Sequence, residues 1–167
     1  MEKKSISKCS FYIQSRYYRA PEVLYEIGIS DKIDIWSYGI IITEMLLRKC
    51  VFAGKNSLEM IYKISDFLGI PNFKKYRDSN VFSRVFYLYN NEYIYSELSK
   101  NCKVKGYRES RLEEYIIFGM NQNYKDALKY QIENTLKLIF KILDYNFETR
   151  LTAEECKKQL LLIETEL

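Results

Sequence analysis

The fold is decided by one apolar stretch, K-I-D-I-W-S-Y-G-I-I-I-T-E-M-L-L, which occupies residues 32–47. The stretch is too long for a β-strand, so its many β-branched residues do not argue against a helix. Upstream, the turn G-I-S-D at 28–31 supplies N-cap residues, and Asp34 falls in the first helical turn. A helix that is apolar on nearly every side is buried on every side. The sequence therefore predicts a central helix that the rest of the domain surrounds.

The segments downstream of this helix also have helical spacing. Ser57 is predicted to cap a second helix, which Gly69 and Pro71 bring to an end. Apolar residues at 136, 139, 140 and 143 indicate a third helix, and T-A-E-E at 152–155 is a capping box that begins the last one. Residues 72–125 are rich in Tyr, Asn and Lys, with a short V-F-Y-L-Y run at 85–89. This order predicts a mainly α fold.

Length and composition favour one folded domain without an evident nucleic-acid partner. The chain has 167 residues, 47% of them hydrophobic, which is enough for one core and too short for two ordinary domains. Its 26 Lys and Arg residues are scattered among 22 Asp and Glu residues. A net charge of +4 without a basic stripe does not indicate binding to DNA or RNA.

Metal and membrane sites are not expected either. The four cysteines stand far apart and the chain has no histidine, so clustered zinc ligands are missing. No apolar run approaches the roughly 18 residues of a membrane span, and no signal-peptide pattern follows Met1. We therefore expect reduced thiols, no membrane partner and an intracellular location, either cytoplasmic or nuclear.

A second stretch, C-S-F-Y-I-Q-S-R-Y-Y-R-A-P-E at residues 9–22, indicates a family when it is combined with D-I-W-S-Y-G at 34–39. Together they resemble the end of a protein kinase activation loop, its A-P-E motif and the central helix of the large lobe. The wider string is similar to the DYRK and HIPK branch of the CMGC group of kinases. Ser10 stands where DYRK kinases usually have the first tyrosine of a Tyr-x-Tyr pair and so resembles the HIPK pattern, whereas F-L-G-I-P at 67–71 looks like the DYRK version. The resemblance covers residues 9–71 and, more loosely, 136–158.

This resemblance implies a protein kinase-like C-terminal lobe fragment, without the N-lobe and the catalytic loop. The implied parts are the activation segment with the P+1 loop at 1–31, two large-lobe helices at 32–71, a CMGC-type insert at 72–125 and C-terminal helices at 126–167. The intact family member would be a serine/threonine, dual-specificity kinase that uses ATP and Mg²⁺. Its protein substrates would bind at the P+1 loop.

Three residues of the activation segment carry a regulatory prediction. In the DYRK and HIPK branch, a tyrosine at the position of Tyr12 is autophosphorylated as the kinase matures. The phosphate would add up to about two negative charges, which guanidinium groups match with paired hydrogen bonds. Arg16 and Arg19 stand at the family positions that hold this phosphate and fix the substrate-binding loop.

Five further residues match structural positions of the family. Glu22 is the A-P-E glutamate, and Arg150 is its expected partner in a buried ion pair that joins two distant segments. Asp34 corresponds to the aspartate that anchors the backbone of the catalytic loop in kinases. Trp36 and Gly39 belong to the same motif as packing residues.

The chain lacks the parts that phosphoryl transfer requires. It has no G-x-G-x-x-G, V-A-I-K or D-F-G motif, and without histidine it has no H-R-D. The triplet Y-R-D at 76–78 follows A-P-E instead of preceding it, so we interpret it as a chance match. We therefore predict no catalytic, cofactor-binding or metal-binding residue in this chain and no ATP or Mg²⁺ binding by the chain alone.

Three hypotheses about the chain stay open. It is the C-terminal part of a kinase whose gene model is truncated, a non-catalytic module that binds partners through residues 16–19 and 72–125, or a pseudogene product. In the family, some neighbours of the central helix belong to the missing catalytic segment. Without them the helix would expose an apolar patch.

Overall fold

The computed structural model describes residues 13–89, 92–95 and 129–165, with side chains described for 13–86 and 132–163. A short 3₁₀ turn at Arg16–Tyr18 leads into the regular elements. These are α1 (Pro21–Leu24), α2 (Ile33–Leu47), α3 (Ser57–Leu68), α4 (Lys74–Arg77), α5 (Asn80–Val85), β1 (Phe86–Tyr89), β2 (Glu92–Tyr95), α6 (Lys129–Ile142) and α7 (Ala153–Thr165). The predicted mainly α fold is confirmed.

Helix α2 lies at the centre, but the prediction that it is buried on all sides is wrong. Trp36 and Ile40 are fully buried, whereas 45% of Ile41 and 73% of Met45 are exposed to solvent. Both exposed residues lie on the same face as Asp34, because positions 34, 41 and 45 are about two and three helical turns apart. Apolar composition thus indicated the helix, while the described neighbours cover only part of its circumference.

The start and the end of α3 and the start of α7 lie close to their predicted positions. Asn56, not Ser57, caps α3, because its side-chain oxygen accepts a hydrogen bond from the N–H of Glu59 at 2.8 Å. Gly69 ends α3 with a φ of 85°, a backbone conformation that favours glycine. At the start of α7, Thr152 and Glu155 accept hydrogen bonds from each other's backbone N–H, which confirms the capping box.

The part of 72–125 that the structure describes begins with two short helices and a hairpin. Strands β1 and β2 are antiparallel, with Phe86 opposite Tyr95 and Tyr89 opposite Glu92. The Y-R-D triplet belongs to this region, and its Tyr76 is fully buried. The Tyr76 hydroxyl donates to the backbone carbonyl of Tyr145 at 2.7 Å, so this residue has a structural contact.

Helix α2 packs against α6, which in turn packs against α7. The predicted core residues of α6, Leu136 and Ile139, are buried. Gly39 marks the closest approach of α2 to this region, because a Cβ atom there would overlap the side chains of Ile142 and Leu143. This packing leaves the other side of α2 available to the segment at residues 13–20.

Candidate functional site

Residues 13–20, which we call the anchored segment, are tied to α2 by the side chain of Gln14. Its amide nitrogen donates to the carbonyl of Ile33 at 3.0 Å and to the Ser37 hydroxyl at 2.8 Å. Its amide oxygen accepts from the backbone N–H of Ala20 at 3.0 Å. One side chain therefore joins the beginning and end of the segment to the first turns of α2.

Gln14 has a left-handed backbone conformation that Arg19 supports. The φ angle of Gln14 is 61°, which is uncommon for a residue other than glycine. Arg19 donates from Nε to the carbonyl of Ile13 at 2.8 Å and from Nη2 to the carbonyl of Gln14 at 3.1 Å. Since Arg19 is only 4% exposed, these carbonyls supply hydrogen bonds that its charge needs away from water. As a result, the Gln14 carbonyl accepts a hydrogen bond from a side chain of the same protein.

A second anchor holds the end of the 3₁₀ turn. The Ser37 hydroxyl donates to the carbonyl of Tyr18 at 2.8 Å, and the Tyr18 hydroxyl donates to Glu44 at 3.0 Å. The other oxygen of Glu44 accepts from the N–H of Val51 at 3.0 Å. The hydrogen bond to Glu44 and the negative charge of that carboxylate raise the pKa of Tyr18. The protonated Tyr18 hydroxyl is the donor in this contact.

Glu22, at the start of α1, forms a buried ion pair with Arg150, which lies 128 residues later. The two nitrogen–oxygen distances are 2.8 and 2.9 Å, and the side chains are 1% and 0% exposed. Ser30 donates a further hydrogen bond to Glu22 at 3.0 Å. Arg150 also donates to the carbonyls of Lys32 and Asp144, at 3.1 and 3.0 Å. This bidentate pair locks the position of α1 relative to the loop before α7.

The remaining predicted residues occupy different environments. The guanidinium carbon of Arg150 lies 5.2 Å from the ring centre of Trp36, which stacks the buried cation on an aromatic face. Asp34 is exposed in the first turn of α2, and Arg16 is half-buried. Tyr12 lies outside the described residues, so its prediction as a phosphorylation site is not tested here.

Sequence reasoning missed Gln14, Ser37 and Glu44 as functional residues. The signal for two of them was available, because Ser37 and Glu44 are among the few polar side chains in a largely apolar helix. Buried or half-buried polar groups need partners, so such residues indicate a segment that packs against the helix. For Gln14 the sequence held no such signal, because its partners lie 19 and 23 residues away.

Metal-binding side chains do not cluster in the part of the chain that the structure describes. There, the Cys, Asp and Glu side chains form no group of three that could hold a metal ion. None of the helices in the same ranges combines the length and apolar character required to cross a membrane.

Comparison with known proteins gives a consistent set of relatives. The family model described as "Protein kinase domain" matches residues 2–162. "Homeodomain-interacting protein kinase 1" of Caenorhabditis elegans is 30% identical over 149 residues, which cover 88% of this chain and 17% of that protein. "GLH-binding kinase 1" of the same organism is 43% identical over 65 residues, 39% of this chain and 17% of that protein.

A third relative extends the range of organisms. "Probable serine/threonine-protein kinase glkA" of Dictyostelium discoideum is 52% identical over 63 residues, 36% of this chain and 13% of that protein. The matches thus span between 13% and 17% of the length of these curated relatives.

Proposed function

This chain belongs to the protein kinase domain family, with a DYRK/HIPK-like relationship, and we propose that it is the C-terminal portion of a serine/threonine, dual-specificity protein kinase. The intact enzyme would transfer the γ-phosphate of ATP to serine or threonine of protein substrates inside the cell. The anchored segment would form the edge of its peptide-binding surface. Arg16 and Arg19 would also hold a phosphate on Tyr12.

The observation that carries this proposal is that the backbone carbonyl of Gln14 already accepts a hydrogen bond from Arg19. A substrate peptide that lies along the anchored segment brings its own backbone N–H groups to that surface. Because the Gln14 carbonyl already accepts from Arg19, a substrate N–H beside it would lose water without gaining an acceptor. Proline has no N–H to leave unsatisfied. We therefore propose that the kinase prefers proline directly after the phosphorylated residue.

The chain alone is proposed to be inactive. It lacks the Gly-rich loop, the phosphate-binding lysine and the H-R-D and D-F-G motifs, and its described part has no carboxylate cluster for Mg²⁺. We therefore propose that the chain alone binds neither ATP nor Mg²⁺. We propose that in the intact protein a preceding catalytic segment covers the α2 face that contains Asp34, Ile41 and Met45. The exposed apolar side chains on this face support that placement.

The test is the mass and activity of the endogenous protein. An antibody raised against residues 72–86 is used for an immunoblot and to isolate the protein for kinase assays. We expect a band well above 20.1 kDa, the mass of this chain, and phosphorylation of a serine peptide in which proline follows the serine. A matched peptide with alanine at that position should be phosphorylated at least about tenfold more slowly.

Two results would contradict the proposal in different ways. A single band at 20.1 kDa without kinase activity would favour a non-catalytic binding module. A larger active protein that phosphorylates both peptides equally would support the kinase but refute the proline preference.

A further inference from the structure

We propose that Gln14 is the residue that holds the anchored segment in its peptide-binding shape, and that it does so without a phosphate on Tyr12. The inference rests on the proposed function only in assigning a substrate-binding role to this segment. It adds a positioning residue that is neither Arg16 nor Arg19, the two residues predicted to hold the phosphate.

Three hydrogen bonds converge on the half-buried side chain of Gln14. Gln14 has two amide donor hydrogens and one acceptor oxygen, and its partners are Ile33, Ser37 and Ala20. Two of these partners are backbone groups, whose positions are set by α2 and by the start of α1. The Gln14 side chain therefore connects α1 and α2 through these three hydrogen bonds, which we call the cross-brace.

The backbone of Gln14 also depends on these contacts. A non-glycine residue keeps a left-handed conformation only where its surroundings determine it strongly. Here the side chain is held by α2, and the carbonyl is held by Arg19. Removing the side-chain contacts would release the backbone to the ordinary extended region, and the carbonyl would turn away from Arg19.

Arg19, a predicted phosphate ligand, is held by the same segment. Arg19 already donates to the carbonyls of Ile13 and Gln14, and it is nearly inaccessible to solvent. Its guanidinium is therefore oriented by the backbone that Gln14 organises. Because these hydrogen bonds join Arg19 to the backbone around Gln14, we expect the segment to keep its shape whether or not Tyr12 carries a phosphate.

The test follows one amide proton. The backbone N–H of Ala20 donates to the side chain of Gln14, so its hydrogen-exchange rate reports the cross-brace directly. We would measure it by NMR on the purified, dephosphorylated 167-residue chain. Gln14→Met removes all three hydrogen bonds at nearly constant size, and Gln14→Glu keeps the acceptor for Ala20. Gln159→Met makes the same change at a half-buried glutamine in α7, which accepts a solvent-exposed hydrogen bond from Lys141.

We expect the Ala20 amide to be protected in the dephosphorylated chain and in Tyr12→Phe. In Gln14→Met it should exchange at least about tenfold faster, with an intermediate rate in Gln14→Glu and the unchanged rate in Gln159→Met. If Gln14→Met does not fold, Ser37→Ala provides the second variant, since it removes one partner of the same amide. An unprotected Ala20 in the dephosphorylated chain, or equal effects of Tyr12→Phe and Gln14→Met, would overturn the inference.

An activity measurement separates positioning from simple stability. In the full-length protein, Gln14→Met should reduce the ratio of kcat/KM for the proline peptide over the alanine peptide, whereas Gln159→Met should not. A lower rate with an unchanged ratio would refute the positioning role. If the full-length protein shows no kinase activity, the proposed function fails while the exchange experiment still decides the role of Gln14 in the anchored segment.

Discussion

Replacing Arg150 with methionine should be among the most damaging single changes in the described part of the chain. The substitution keeps apolar volume but removes two hydrogen bonds to Glu22 and those to the carbonyls of Lys32 and Asp144. Glu22 would then be a carboxylate that is 1% exposed and has lost its cation. Breaking one side of a buried ion pair costs about 3–5 kcal/mol, because the remaining charge stays uncompensated.

This loss is a large share of the roughly 5–15 kcal/mol that stabilises an ordinary domain. For a protein of this size it corresponds to a melting temperature lower by about 6–20 °C. The assay is urea and thermal unfolding of the purified chain, followed by circular dichroism. The matched control is Lys158→Met, which breaks an exposed ion pair with Glu154 at 3.0 Å and should have little effect.

A double variant tests the reason for the loss. Glu22→Gln combined with Arg150→Met removes both charges, so it should be more stable than Arg150→Met alone. If Arg150→Met costs no more than Lys158→Met, the buried pair does not stabilise the fold. If the double variant is less stable than Arg150→Met, the uncompensated charge is not the cause of the loss.

Three further changes probe the packing, a helix cap and the buried tyrosine. Gly39→Ala should lower the free energy of unfolding by about 1–3 kcal/mol, because its Cβ meets Ile142; an unchanged urea midpoint would contradict the close approach of α2 and α6. Thr152→Ala should cost about 1 kcal/mol in the same assay through loss of the α7 cap, and no loss would mean that the cap is not stabilising. Burial raises the pKa of Tyr76, so the folded state keeps a proton that the unfolded chain loses above its ordinary value of 10.0. Stability should therefore fall as pH rises above about 10, with a shallower fall in Tyr76→Phe, and equal slopes in a titration of unfolding against pH would refute this assignment.

Much of the local structure could be predicted because its causes lie within a few residues. The T-A-E-E pattern is sufficient for the capping box, and Gly69 ends α3 through its own backbone freedom. The cap of α3 was misassigned by one residue, since Asn56 and Ser57 are both good N-cap types and only backbone geometry distinguishes them. Family motifs added the pairing of Glu22 with Arg150, which composition and spacing alone do not indicate.

The candidate site was less predictable because it depends on contacts between distant parts of the chain. Family motifs predicted Arg19 as a phosphate ligand, but they gave no sign of its hydrogen bonds to the carbonyls of Ile13 and Gln14. The cross-brace of Gln14 joins residues 19 and 23 positions away, so no local pattern reveals it.

By itself, the sequence determined the helix within 32–47, the end of α3 at Gly69 and the capping box of α7, because hydrogen bonding and capping act within about one helical turn. It did not predict α4, α5 or the hairpin, and its prediction that the helix at 32–47 is buried on every side was wrong. Tertiary structure alone decided which face of that helix stays exposed, where Ile41 and Met45 meet solvent. It also decided which polar groups satisfy one another, since a buried donor takes whichever acceptor the fold brings within about 3 Å.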